Sequence, residues 1–277
     1  MSLGHDIGSL LRAHGMKLNT DWGQHFLMDQ TVISSMIKAG DVKKSDTVLE
    51  IGAGIGALTK ELLDVAGKVI AMEVDRRWKP IFEEYVGPKN LASGRLQLIE
   101  GNALKLPYPD TPYKIVANIP YLITSRLIRH ALLHAARRPD SLTLLVQREV
   151  ADKICASKRG ETRTILSILV ELFGEPSFIK GIPPGAFLPP PKVDSAIIHI
   201  KCFDPPKIDR KTVDEVLELT SIAFHKKRKM LRASLGKFHG MAERLEAACV
   251  AADRRPETLS IDEWIALAKT KTEHSGG

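Results

Sequence analysis

Between residues 46 and 204 short apolar runs alternate with amphipathic stretches, and that alternation limits the fold more than any other feature of the chain. "TVLEIGAG", "KVIAMEVD", "LQLIEGNA", "YKIVANIP" and "LTLLVQRE" have strand length and are nearly continuous in apolar residues. "ALTKELLDVA", "RRWKPIFEEYV" and "SRLIRHALLHAA", which lie between several of them, carry the helical period. Strands that are apolar on both faces need cover on both sides, and intervening helices let neighbours run parallel. The pattern therefore predicts an α/β fold with a doubly wound parallel sheet. "PSFIKGIP" and "SAIIHIKC" follow with only a proline-rich connection, which predicts an antiparallel pair at the sheet's edge. At Pro205 and Pro206 the pattern changes to helices alone, over 212–224, 227–235, 241–251 and 261–269. A Ser260–Glu263 capping box opens the last of them. Two domains are expected, 1–204 and a smaller all-α unit over 205–277, with 1–45 supplying N-terminal helices.

A chain of 277 residues has material for both cores. No apolar run approaches the ~18 residues of a membrane span. The N-terminus "MSLGHDIGSLLRAHG" lacks the basic start and long apolar stretch of a secretory signal, and Ile7, Leu10, Leu11 and His14 read instead as a short amphipathic helix. Cys155, Cys202 and Cys249 lie far apart without a CxxC pair. That argues against a disulfide scaffold or a zinc site, so no metal is expected, and for a reducing, cytoplasmic compartment. The formal net charge is +7, and six cations (Lys226, Lys227, Arg228, Lys229, Arg232 and Lys237) fall within residues 223–237 without an acid among them. Charge concentrated in this way is the footprint expected for a polyanion.

The strand ends carry the chemistry. "EIGAGIGALT" places glycines at 52, 54 and 56 between a strand and a helix, where they allow a sharp turn, close ligand approach and an anion at the helix N-terminus. Glu73 ends the next strand, 21 residues after Gly52, where an acid can take both hydroxyls of a ribose. Asn102 and Asn118 end the two strands after that. Four consecutive strand ends thus deliver a polar group or a glycine to one rim, which predicts a nucleoside-type cofactor. "NIPY" then adds a proline and a tyrosine to Asn118. An amine conjugated to an aromatic ring, as in adenine, is a poor nucleophile because its lone pair is delocalised. The Asn118 amide oxygen and the Ile119 carbonyl could accept its two hydrogens and pull the nitrogen towards a pyramidal geometry. Pro120 has no N–H, holds φ fixed and biases Ile119 to an extended conformation, and Tyr121 offers a ring for stacking worth ~1 to 3 kcal/mol. Orienting the nitrogen in line with a sulfonium methyl can then supply much of the rate.

Together with "GQHFLMD", "EVD", "GNAL", "QREVADKI", "FLPPPKVDSAII", "AFHKKRKMLRASL" and "RPETLSIDEW", these residues resemble the ribosomal RNA adenine dimethyltransferases, the KsgA family. The resemblance runs over almost the whole chain. It implies a Rossmann-like class I methyltransferase sheet and S-adenosylmethionine held through Gln24, His25, Leu27, Gly52, Gly54, Glu73, Asn102 and Asn118, with Gln24–Leu27 closing over its methionine end. It implies Phe187 opposite Tyr121 across the target base, with Pro189–Pro191 stiffening that loop. The implied substrate is a pair of adjacent adenosines in a hairpin near the 3′ end of small-subunit ribosomal RNA. A monomer acting on the assembling subunit would hold the RNA through Lys226, Lys227, Arg228, Lys229 and Arg232, with Lys158, Arg159 and Arg163 extending the surface. Two positions depart from the family pattern. Asn102 stands where members usually carry Asp, keeping an acceptor but losing charge assistance of order ~1 kcal/mol, and His25 replaces a frequent Asn. Three rivals share parts of the pattern. A large-subunit adenine methyltransferase is disfavoured by "FLPPPKVDS" and the long C-terminal region, and a non-catalytic assembly factor by intact Glu73, Asn118 and Tyr121. An enzyme acting on DNA or a protein amide would more often have a second proline at Ile119.

Overall fold

A computed structural model of the chain describes residues 9–16, 25–156, 160–225, 229–236, 238 and 240–270. Nine strands are present among them: β1 (Phe26–Leu27), β2 (Thr47–Ile51), β3 (Lys68–Glu73), β4 (Leu96–Glu100), β5 (Lys114–Asn118), β6 (Ser141–Gln147), β7 (Gly174–Ile182), β8 (Phe187–Leu188) and β9 (Ser195–Cys202). Seven form one sheet in the order β4-β3-β2-β5-β6-β9-β7. From β4 to β6 every neighbour pair is parallel, with Leu49 opposite Ile70 on one side and Ile115 on the other. β9 runs antiparallel to β6, from Ser141↔Lys201 to Gln147↔Ser195, and β7 lies outside it as the other half of the expected edge pair.

The near-continuous apolar strands are explained by their cover. Val48, Leu49, Ile115, Val116, Leu144, Leu145 and Ile197 have no exposed surface, and each such side chain contributes roughly 1.5–3 kcal/mol by leaving water. The edge strand β4 is half-buried along most of its length, as one open flank requires. The sheet's first strand, β2, has β3 on one side and β5 on the other, so the winding reverses there. A crevice opens beyond the strand ends at such a reversal, and it is the usual ligand position of an open α/β sheet.

The chain forms two compact units. The first contains residues up to Asp152 together with Pro176–Cys202, and the second contains Lys153–Glu175 together with the chain from Phe203 on. The second unit therefore includes the apolar helix Ile165–Phe173, capped by a Thr164–Ser167 box, which a cut near residue 205 leaves with the sheet. Within that unit Arg163 donates to Glu171 at 3.2 Å and to the Leu259 carbonyl at 3.2 Å, while Arg244 reaches Glu215 at 2.6 Å and the Leu267 carbonyl at 2.9 Å. Helices Arg210–His225 and Ile261–Lys269 close on fully buried Trp264. The helix expected over 241–251 stops at Ala247, because Cys249 turns left-handed (φ 55°) and Val250 N–H bonds back to the Leu245 carbonyl at 2.8 Å. Of the helix expected over 227–235 the described residues show Leu231–Ser234. The amides of Leu231 and Arg232 are taken by the carbonyls of Arg254 and Ala252, both at 2.8 Å. No helix among the described residues is long and apolar enough to cross a membrane.

The Ser260–Glu263 box is complete, with Glu263 N–H on Ser260 Oγ at 3.1 Å and Ser260 N–H on the Glu263 carboxylate at 2.7 Å. Arg254 holds the same carboxylate, and this pairing helps keep its acid below the ordinary range against the opposing effect of burial. Ser260→Ala should therefore lower the unfolding free energy by about 1 kcal/mol in urea titration; an unshifted midpoint would show that the cap adds nothing.

Candidate active site

The strand ends around the reversal enclose a cleft of about 360 Å³. Its lining includes His25, Gly52, Gly54, Glu73, Asn102, Asn118, Pro120 and Tyr121. Eight of the residues expected at the rim thus meet in one place. The volume lies within the roughly 300–1,000 Å³ of small-molecule sites.

Glu73 organises one end of the cleft. One carboxylate oxygen accepts Gly54 N–H at 2.8 Å and the other accepts Asp75 N–H at 2.9 Å. Gly52 and Ala53 donate to the Met72 carbonyl of the same strand at 2.8 and 3.2 Å, so the glycine loop is tied to the end of β3. Gly54 has φ +54°, and a Cβ there would lie 2.6 Å from the Phe26 ring. The position needs glycine for both reasons. A carboxylate has about four acceptor sites, and backbone N–H groups do not fill them all, which leaves capacity for a ribose hydroxyl. Burial pushes the Glu73 acid above its ordinary range, opposed by the backbone N–H groups of Asp75, Gly54 and Val74. Phe26, set edge-on against Trp78 at 4.8 Å, adds an aromatic wall, and Ile51 and Met72 add aliphatic ones. Asn102 is exposed at the rim, and its oxygen accepts Leu104 N–H at 2.9 Å, which stiffens the turn. An acid, apolar walls and a glycine-cleared floor fit a nucleoside-bearing cofactor.

The other end is built by "NIPY". Asn118 Nδ2 donates to the His25 carbonyl at 3.1 Å. Because that carbonyl only accepts, the amide is fixed with its NH₂ on His25, and its oxygen remains an acceptor. Pro120 sits at φ −56°, ψ 128°, and its Cδ would meet a Cβ on Gly52 at 3.3 Å. Tyr121 donates or accepts at Ser195 Oγ across 2.6 Å, and burial pushes its phenol up, so the ring stays neutral. The His25 ring stacks on it at 6.0 Å and 25°. His25 is held twice, since its Nδ1 also bonds the Pro189 carbonyl at 2.8 Å and must therefore carry the proton.

Two expected residues take other positions. Leu27 and Phe187 face each other in the antiparallel β1–β8 pair, each only 4% exposed, and both belong to the buried core rather than the cleft lining. With the Met28 N–H to Ala186 carbonyl bond at 2.8 Å, this pair fastens the segment after Gln24 to the loop before the prolines. Gln24, Lys158, Arg159, Lys226, Lys227, Arg228 and Lys237 lie outside the described residues. Lys229 and Arg232 are exposed in the helical unit, whereas Arg163 is engaged within it by Glu171 and Leu259. Lining residues that the sequence did not reveal are Phe26, Val74, Trp78, Leu122 and Arg126. Trp78 had a usable signal, standing five residues after Glu73, the acid that ends β3.

Glu50, one strand over from Glu73, is buried in β2 and accepts Thr59 Oγ1 at 2.5 Å. Burial first, and then neighbouring Glu73, pushes its acid up to about 8 against that hydrogen bond.

The sequence model of the family described as ribosomal RNA adenine dimethylase matches residues 15–273. A ribosomal RNA small subunit methyltransferase A of Dehalococcoides mccartyi (strain CBDB1) is 36% identical over 269 residues, covering 95% of this chain and 91% of the relative. Among solved structures, a dimethyladenosine transferase from Plasmodium falciparum matches with a TM-score of 0.71 and 27% identity over 88% of this chain and 96% of that one. The 23S rRNA methyltransferase ErmE matches with 0.69 and 25% over 88% and 98%.

Two outcomes follow from the geometry. The folded state holds the Glu50 proton to about pH 8, whereas an unfolded carboxyl releases it near 4.5, so folding stability should fall as pH rises between those values. Glu50→Gln should flatten that slope in urea unfolding series at several pH values; an unchanged slope would place the linkage elsewhere. Asn102→Ala should weaken S-adenosylmethionine binding measurably by calorimetry, and an unchanged dissociation constant would remove Asn102 from the site.

Proposed function

Because the chain belongs to the ribosomal RNA adenine dimethylase family, we propose that this cleft binds S-adenosylmethionine and presents it to two adjacent adenosines in a hairpin near the 3′ end of small-subunit ribosomal RNA. The activity is that of an rRNA adenine dimethyltransferase. The observation that carries the reading is the fixed Asn118 amide, which shares one cleft with Glu73 and Tyr121.

S-adenosylmethionine supplies an electrophilic methyl group on a sulfonium. Glu73 would take the cofactor's ribose hydroxyls, the Asn102 rim would meet its base, and the Gly52–Gly54 loop would give the remainder room. On the substrate side Tyr121 stacks the extruded adenine. The Asn118 oxygen and the Ile119 carbonyl accept the two amine hydrogens, concentrating the lone pair on nitrogen and aiming it at the methyl. The bound cofactor would supply the methyl, its C–S bond giving way to the new N–C bond, and the amine's proton would pass to solvent. Positioning and fixed dipoles supply the rate here. An unpaired loop base is cheaper to extrude than a paired one, which suits a hairpin substrate. Lys226–Lys229 and Arg232 supply a sequence-independent hold on the RNA backbone. We take the enzyme to act as a cytoplasmic monomer on assembling small subunits.

Incubation with labelled S-adenosylmethionine and unmethylated ribosomal subunits, followed by mapping of modified bases, tests this reading. Dimethylation of two neighbouring adenosines in the small-subunit hairpin is expected. Label confined to large-subunit RNA would instead assign the enzyme to the function of the ErmE-type relatives.

A further inference from the structure

Two large apolar side chains of the cleft lining remain in water, Val74 at 61% and Leu122 at 69% exposure. Val74 follows Glu73, so it belongs to the end that holds the ribose. Leu122 follows Tyr121, at the end where a flat base would stack. It is the more exposed of the two and is not loosely held. It sits in the 3₁₀ turn Tyr121–Ile123, closed by Ile123 N–H on the Pro120 carbonyl at 3.1 Å and capped by Thr124 N–H on the Tyr121 carbonyl. Arg126 lies one helical turn further on. It is exposed, also lines the cleft, and touches the Leu122 carbonyl through Nη2 at 3.4 Å. From Thr124 to Pro139 the sequence contains no acid, and among the described residues Arg126 has no ion pair. An exposed leucine on a stiff turn, beside an aromatic platform and an unpaired guanidinium, has no role in the core.

We propose that Leu122 is an extrusion wedge and Arg126 its phosphate anchor. When the target adenosine leaves its stack for Tyr121, Leu122 enters the apolar gap it vacates, while Arg126 holds a flanking phosphate of the splayed backbone. Apolar wedges of this kind offset lost stacking, and a guanidinium matches phosphate geometry by paired donors. The inference deepens the reading of the cleft as an rRNA adenine site and rests on it.

Single-turnover methylation of unmethylated small subunits at saturating S-adenosylmethionine provides the test. Leu122→Ala should slow methyl transfer by on the order of tenfold, while leaving the calorimetric S-adenosylmethionine affinity and the melting temperature unchanged. Leu122→Met, which restores apolar length, should recover the native rate to within about twofold. Arg126→Glu should weaken binding to the subunit and reduce the slope of log affinity against log salt by about one. A native rate for Leu122→Ala overturns the wedge, as does a defect that Met does not repair or that accompanies weaker cofactor binding. An unchanged salt slope for Arg126→Glu overturns the anchor. Native protein that leaves the subunits unmodified overturns the functional reading and this inference with it, which distinguishes the two failures.

Discussion

The hydrogen bond from Asn118 Nδ2 to the His25 carbonyl is the interaction on which the proposed chemistry of this cleft depends. An asparagine amide presents either a donor or an acceptor to a ligand, and rotation by half a turn exchanges them. Tying the NH₂ group to a carbonyl 93 residues away in sequence removes that ambiguity and leaves the oxygen as the face available to an amine. His25 is itself fixed by Pro189, and its neighbour Phe26 is fixed by strand pairing with Leu188. The orientation of one amide therefore depends on a clasp between the start of the chain and the proline run. A damaged clasp would cost catalysis through loss of direction rather than loss of a contact.

The parallel sheet supplies the other half of the arrangement. Parallel strands end on the same side, so residues that terminate β2, β3, β4 and β5 arrive at one rim without any long-range specification of their own. The reversal of winding at β2 opens the crevice between the glycine loop and Asn118. Glu73 fixes the loop by binding Gly54 N–H and remains desolvated, which raises the energy of its charged form. The buried carboxyl of Glu50 behind it avoids adding a second full charge at neutral pH.

Much of this was legible in the sequence, for an identifiable reason. Fully covered strands must be almost uniformly apolar, so β2 through β6 stood out, and their polar ends could be read as a rim. Local capping chemistry was equally legible, as at Ser260 and Glu263. What escaped depends on pairings between distant segments. β1 and β8 have two residues each, too few to show any period, yet their register puts Phe187 and Leu27 into the core. Phe26 enters the cleft lining through the same pairing. Helix Ile165–Phe173 is apolar enough to belong to either unit, and only its contacts assign it. Leu122 and Arg126 were hidden for a different reason, since exposure is not a property of residue type.

The proposed role of the fixed Asn118 amide oxygen is to activate and aim the target amine. Its most direct test is the single-turnover rate of Asn118→Ala on unmethylated small-subunit RNA, at saturating cofactor and with RNA occupancy checked by binding. A fall of about a hundredfold or more, of the size seen when one preorganised polar partner is removed, with RNA binding retained, is the predicted result. A rate within a few-fold of the native enzyme would contradict the account.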